Sequence, residues 1–459
     1  HSIPTVIKYF TDSSKAIIRN LDVEDQMKVR QLFTAGAMLA GVTFQTVAAD
    51  WYVSFSTGKN KNAGTQEAPL KNIWKALESA APGDTIHIAE GNYSGKMSCG
   101  WINMDKPVNL IGGYSPDFST RNPLVHHTML RPKNEQNATR PTFGTLTIKT
   151  RKAGANASVL IDGFIFDHTA ANSYHPVEGK PEGFSDGMLT IPPAKGKTRY
   201  PSIDKALLNA ETDGSLTIQN CLFLNGSNYA ILVAHFSGTV KILNNVFIGN
   251  RMMGADVRST NGKPGMVEFE FSNNTLLFTW TRTKAFEDMG FGVRANANMS
   301  TNIHHNIIGL NTMSGFDNTK GNDKTKAVTL EDNIFFLNKT ADVTVTISPS
   351  IKFMKVEDEG FDDLADVDGM KSVKDNLGLK DPALFKGIID ENYLNAFLAA
   401  TYSEKVEYDE NSPINQFRAA LGLNKQGKIT SKVSMFANPY PFDSAIKFFG
   451  AVQGTGAQI

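Results

Sequence analysis

Four short segments put arginine and aspartate where they could act together: residues 229–235 (Tyr-Ala-Ile-Leu-Val-Ala-His), 254–259 (Gly-Ala-Asp-Val-Arg-Ser), 291–296 (Phe-Gly-Val-Arg-Ala-Asn) and 314–318 (Ser-Gly-Phe-Asp-Asn). Each alternates apolar and polar residues in the manner of a half-buried strand. With Val233, Val257, Val293 and Phe316 turned inward, the residues that follow them, Ala234, Arg258, Arg294 and Asp317, face out. Arg258 and Arg294 then share one outward column on adjacent strands, about 4.8 Å apart, with Asp256 and Asp317 beside them. Two guanidinium groups that close repel unless an anion lies between them. Arginine can grip a carboxylate or sulfate through two parallel N–H donors. Taking a proton from the carbon next to such a carboxylate needs the charge neutralised and a base at hand. Lys284, His235 and Arg282 are candidates for that base. The same residues also fit a plainer arrangement, in which Asp256 and Asp317 pair with the arginines on a solvated face and contribute little.

Other chemistry-bearing residues are more scattered. Glu268 and Glu270 share the outward face of a strand whose Phe269 and Phe271 face in. Alternate carboxylates on a rigid sheet could hold calcium (Ca2+), a hard ion that prefers oxygen ligands, or could simply be solvated. The long stretch 168–204 carries Lys195 and Arg199 among glycines and prolines and suits a groove wall. The pairs His126-His127 and His304-His305 lack metal-ligand spacing. His305 stands where related segments have a turn asparagine, a role an imidazole can fill. There is no phosphate loop.

The elements that must carry these residues come from a repeat. Residues 216–225 (Leu-Thr-Ile-Gln-Asn-Cys-Leu-Phe-Leu-Asn) and 240–250 (Val-Lys-Ile-Leu-Asn-Asn-Val-Phe-Ile-Gly-Asn) share a pattern with 269–277, 301–311 and 328–338, and 159–166 is an earlier copy. Anchored on Ile218, Ile242, Phe271, Ile303 and Leu330, the copies have a constant core and variable spacing, as solenoid coils do when their loops absorb insertions. In each copy a strand is followed by Asn or Asp, which tolerate left-handed backbone and bond neighbouring peptide groups. Asn245, Asn274, Asn306 and Asn333 should stack as a ladder. Phe223, Phe247, Leu276, Ile308 and Phe335 should stack inward behind them. The expected fold is all-β, a right-handed parallel β-helix.

The ends fit this plan. Residues 69–80 read as an amphipathic helix with Ile73, Leu77 and Ala80 on one side, suited to plugging the first coil. After about residue 355 the pattern lapses. Residues 356–459, with helical stretches at 391–400 and 414–423, read as a C-terminal cap packed back on the side of the coil. The opening 58–64 (Gly-Lys-Asn-Lys-Asn-Ala-Gly), the Pro-Gly-Asp-Thr-Ile and Glu-Gly-Asn-Tyr motifs, and 108–114 through 128–131 resemble pectate-lyase-like β-helix proteins. The resemblance spans roughly residues 51–345. It implies a substrate lying along the sheet that follows the longest loops, an acidic polysaccharide as partner, and cleavage by β-elimination of a uronate. Some lyases of this kind use calcium, and Glu268-x-Glu270 is similar to one of their metal motifs. The aspartate motifs of polygalacturonases and the calcium-aspartate and arginine signatures of pectate lyases are absent, and the same opening heads non-catalytic surface proteins.

Composition bounds the partners. Lys+Arg and Asp+Glu are both 46 in 459 residues, so no global field draws nucleic acid or an anionic membrane. Residues 27–49 read as a signal peptide: Met-Lys-Val-Arg, an apolar run over 32–44, and Val-Ala-Ala before Asp50. The apolar run is too short to span a membrane. Residues 1–26 are set aside as leader, and the β-helix is expected over 50–355. Export to a bacterial periplasm or cell surface is implied. Cys99 and Cys221 form no disulfide framework and read as small buried fillers.

Overall fold

A computed structural model describes residues 48–95, 102–131, 145–168, 206–226, 228–280, 289–296, 298–319, 327–347, 350–402, 404–429 and 439–459. The chain winds into a parallel β-helix whose strands stack in three sheets. The first sheet contains Ile102–Met104, Leu146–Lys149, 208–212, 229–235, Met253–Ser259, Phe291–Asn296, Ser314–Thr319 and Ala341–Ile347. The second runs from Asp50–Val53 through Thr85–Ala89, Asn109–Tyr114, Ser158–Asp162, 214–219, 238–243, Val267–Ser272, Met299–His304 and Val328–Glu331 to Met370–Lys374. Among the described residues the third has nine short strands, from Gly91–Tyr93 to Leu377–Gly378. Each coil therefore visits second, third and first sheets in turn.

The repeat dictates this register. Ile218, Ile242, Phe271, Ile303 and Leu330 are successive cross-strand partners in the second sheet. In the third sheet Phe223, Phe247, Leu276, Ile308 and Phe335 align in the same way. The rings of Phe166 and Phe223 stack 4.7 Å apart at 3°, and those of Phe223 and Phe247 4.9 Å apart at 9°. At the corner between these sheets, the Oδ1 atoms of Asn245, Asn274, Asn306, Asn333 and Asn376 accept from the backbone N–H one coil earlier, at 2.9–3.2 Å. The residues just before them, Asn244, Asn273, His305, Asp332 and Asp375, hold φ between 53° and 58°. His305 is thus a turn residue. Cys221, buried, takes an asparagine position in the ladder, and Cys99 lies outside the described residues.

A second ladder sits at the corner between third and first sheets. Gly226 N–H donates to Asn250 Oδ1 at 2.9 Å, Thr279 N–H to Asn311 at 3.1 Å and Asn311 N–H to Asn338 at 3.3 Å. These residues lie five positions after the first ladder, with Thr279 substituting for one amide.

The ends differ from expectation in one boundary. The coil does not stop at residue 355: Met370–Lys374 and Leu377–Gly378 complete a further turn, because residues 374–378 (Lys-Asp-Asn-Leu-Gly) repeat the Glu-Asp-Asn-Ile-Phe of 331–335. At the other end the helix Ile73–Ser79 buries Ile73, Ala76 and Leu77 against the first coil. Beyond residue 378 the helices Glu391–Thr401 and Pro413–Ala420 cover the outer face of the third sheet, with Tyr393, Phe397 and Phe417 against Leu277, Phe278 and Phe336. The chain then returns along the coil. Gly456 N–H donates to His305 O at 2.8 Å, and Gln458 N–H to Asn244 Oδ1 at 2.5 Å. Among the described residues no helix is long and apolar enough to cross a membrane. Nearly all of 27–49, and Lys195 and Arg199, lie outside the described residues.

Candidate functional site

Segments 229–235, 254–259, 291–296 and 314–318 are neighbouring strands of the first sheet, but their register departs from the one expected. Val233 pairs with Val257, and Val293 with Phe316, as anticipated. Val257, however, faces Ala295, while Val293 faces Ala255. Arg258 and Arg294 are therefore on the same outward face in different columns. One column runs Leu232, Asp256, Arg294, Asp317, Thr344; the other begins Ala234, Arg258.

Packing sets this register. The segments begin with a column of small residues, Ala230, Gly254, Gly292 and Gly315, that points into the core. A Cβ on Gly254 would lie 2.6 Å from Leu276, one on Gly292 3.1 Å from Ile308, and one on Gly315 2.9 Å from Phe335. The wide residues of the third sheet occupy that space, so the glycines must align with one another. Once they do, Asp256 falls opposite Arg294.

The outcome is a ladder of alternating charge. Arg258 Nε lies 3.1 Å from both oxygens of Asp256, and its Nη2 donates to Oδ2 at 2.5 Å. Arg294 Nε donates to Asp317 Oδ2 at 2.5 Å, and its guanidinium lies 4.4 Å from the Phe291 ring centre. That cation–π contact contributes on the order of 0.5–1 kcal/mol. Asp256 is 0% exposed and Asp317 2%, whereas the Arg258 side chain is 42% exposed. The carboxylates sit low in the face and the Arg258 guanidinium stands above them. Tyr229, half-buried at the head of its strand, bonds the Arg258 side chain; it was not singled out as a site residue from sequence.

Burial and partners set the protonation states. Burial pushes the Asp317 carboxyl up to about 6, outweighing the adjacent Arg294, with Asp256 adding to the rise. The hydrogen bond to Asp256 holds Arg258 firmly charged. Burial also raises Tyr229, which stays a donor at neutral pH.

Other candidates separate from this face. His235 is not on it: the side chain turns inward beside Val233, fully buried, with Nδ1 2.8 Å from Thr212 Oγ1 and Nε2 unpartnered. Burial lowers its pKa, so it is a neutral core residue rather than a base in a groove. Lys284 and Arg282 lie outside the described residues. Glu268 and Glu270 face out together as expected, but from the second sheet, away from the arginines. Glu270 lies 3.5 Å from Lys241 Nζ and 3.6 Å from His304 Nε2. Among the described residues no three His, Cys, Asp or Glu gather where they could hold a metal ion.

A family described as "Protein of unknown function (DUF1565)" matches residues 56–119. No curated protein matches the chain. Among solved structures, the complex of XylC with xylose is similar at 10% identity and TM-score 0.31, over 65% of this chain and 64% of that one. The GH136 lacto-N-biosidase from Eubacterium ramulus is similar at 10% identity and TM-score 0.31, over 73% of this chain and 64% of that one. Pectate lyase Pel9A is similar at 14% identity and TM-score 0.30, over 72% of this chain and 89% of that one. The chain thus spans less than two thirds of the length of the first two. The strand pairing itself makes the fold a parallel β-helix.

Proposed function

We propose that this chain is an exported bacterial carbohydrate-binding β-helix protein that holds an acidic polysaccharide along the outward face of its first sheet, with Arg258 meeting the anion. One observation carries the reading: Arg258 is fixed at two points by a buried carboxylate while much of its side chain stays in solvent. An arginine already held in one orientation loses little freedom on binding. Its planar fork suits the carboxylate or sulfate of a sugar chain. Arg294 lies one strand further on and extends the same face, while Asp256 and Asp317 hold the two guanidinium groups from below.

Cleavage by β-elimination is the further step of this reading. It needs a base beside the bound anion. His235 is buried and Tyr229 is held protonated, so that base would have to come from Lys284 or Arg282. A non-catalytic surface or adhesion role needs only the grip. The test is a panel of immobilised pectate, alginate and glycosaminoglycans, read for retention and for the absorbance of unsaturated uronate. Retention without new absorbance gives the binder, and retention with it gives the lyase. Passage through every column unretained would end the proposal.

A further inference from the structure

A guanidinium can only donate hydrogen bonds, and that fixes the direction of the contact between Arg258 and Tyr229. The phenol oxygen is the acceptor, so the Tyr229 O–H hydrogen is left over. Among the described residues no acceptor takes it: Asp256 and Arg294, the other charged groups beside Tyr229, act on it through charge alone. The strands explain how the groups meet. Tyr229 pairs with Met253 at the strand heads, and Arg258 lies five residues further along. Arg258 folds back to Asp256, two residues nearer the heads, and Tyr229 leans forward to meet it. Asp256 takes the hydrogen on Nε and one on Nη2, and Tyr229 takes another, so two of the five N–H donors remain. These groups are open to a ligand: the Arg258 side chain is 42% exposed, against 15% for Arg294, and Tyr229 is half-buried.

We propose that Tyr229 is a second ligand-binding donor of this site, its O–H converging with the remaining Arg258 N–H groups on one oxyanion of the sugar chain. This rests on the reading of Arg258 as the anion grip and adds the group that completes it. A hydrogen bond to a charged group is the stronger kind, so an O–H aimed at an oxyanion contributes more than one aimed at a neutral hydroxyl. The phenol adds this without adding charge. Burial keeps it protonated at neutral pH, so the donor is present where the grip works. Accepting from Arg258 also draws electron density from the phenol oxygen and strengthens its O–H as a donor.

Three variants of the full chain test this: Tyr229→Phe, Tyr229→3-fluorotyrosine and Arg258→Ala. Their affinities are measured by calorimetry near neutral pH, with oligogalacturonate as the carboxylate probe and a sulfated dextran oligosaccharide as the sulfate probe. Tyr229→Phe should weaken binding about tenfold. That loss alone would also follow if Tyr229 merely held Arg258 in place, and the fluorinated residue separates the two roles. Fluorine makes the O–H a better donor and the oxygen a poorer acceptor, so a donor to the ligand predicts tighter binding, by about twofold. Whichever probe shows this pattern names the oxyanion. Equal or weaker binding by the fluorinated protein, or wild-type binding by Tyr229→Phe, with Arg258→Ala lost, would overturn the donor and leave the grip intact. Wild-type binding by Arg258→Ala would instead remove the grip and the donor with it.

Discussion

Asp256 stands opposite Arg294 on the neighbouring strand, and Arg294 in turn opposite Asp317, so two buried carboxylates bracket one guanidinium in a single outward column. Arg258, whose own anchor is Asp256, lies one column over. Of the two arginines it is the one more open to a ligand.

Arg258→Ala should therefore weaken polysaccharide retention more than Arg294→Ala does, by about tenfold or more if one charge-assisted contact of about 1.5–3 kcal/mol is lost. Added salt should weaken wild-type retention as well. Equal retention of all three proteins at low salt would remove the grip.

Arg294→Ala should act chiefly on stability. It strips the partner from a buried carboxylate, a change that costs about 3–5 kcal/mol when the remaining charge stays unpaired. Protonation of Asp317 relieves part of that cost, so the loss in denaturant midpoint should shrink as pH falls. A pH-independent loss would contradict the pairing.

The Asp317 carboxyl also gives the protein a pH signature. Its folded pKa of about 6 lies above the ordinary carboxyl value of 3.8, so the folded state binds the proton more tightly. Stability from this group is then present below 3.8 and is lost as pH rises through about 6, by on the order of 2–3 kcal/mol. Asp317→Asn should flatten that part of the pH profile relative to wild type. Anion binding should strengthen as pH falls through about 6, because protonating Asp317 leaves the ladder net positive.

Register can be tested through Gly292. A Cβ there would lie 2.5 Å from the Gly315 carbonyl, so Gly292→Ala should destabilise by about 1–3 kcal/mol through overpacking. A melting temperature equal to wild type would mean that the glycine column does not fix the strands.

The asparagine ladder offers a separate check on the coil. Asn306→Leu removes the acceptor for Asn274 N–H and the donor to Phe271 O. Loss of about 2–4 kcal/mol in a denaturant titration is expected from two buried groups left unpaired. A neutral effect would assign the turn to backbone preference alone.

The coil was legible because its physics is periodic. Alternation, Asn pairs and the aromatic column each recur once per turn, so the second and third sheets could be registered from sequence. The last turn could have been read as well, since Lys-Asp-Asn-Leu-Gly at 374–378 keeps the pattern; acidic residues 357–368 interrupt it and hide the recurrence. So could the second ladder, visible as asparagines five positions after the first. The site suffered most, because aligning valines treats all inward residues as equal. Glycine against Leu276 or Ile308 is the stricter constraint, and aligning Gly254 with Gly292 and Gly315 would have placed Asp256, Arg294 and Asp317 together. The inward turn of His235 follows from the same alternation that points Val233 in.

The return of residues 456–458 to the coil bears on the order in which the molecule is made. Asn244 and Gln458 are 214 positions apart, so their contact closes only after every intervening turn has been synthesised. A growing chain can stack turn upon turn without it. The contact then acts as a clasp fastened last, and resistance of the C-terminal segment to proteases becomes a readout of whether the whole spiral was wound correctly.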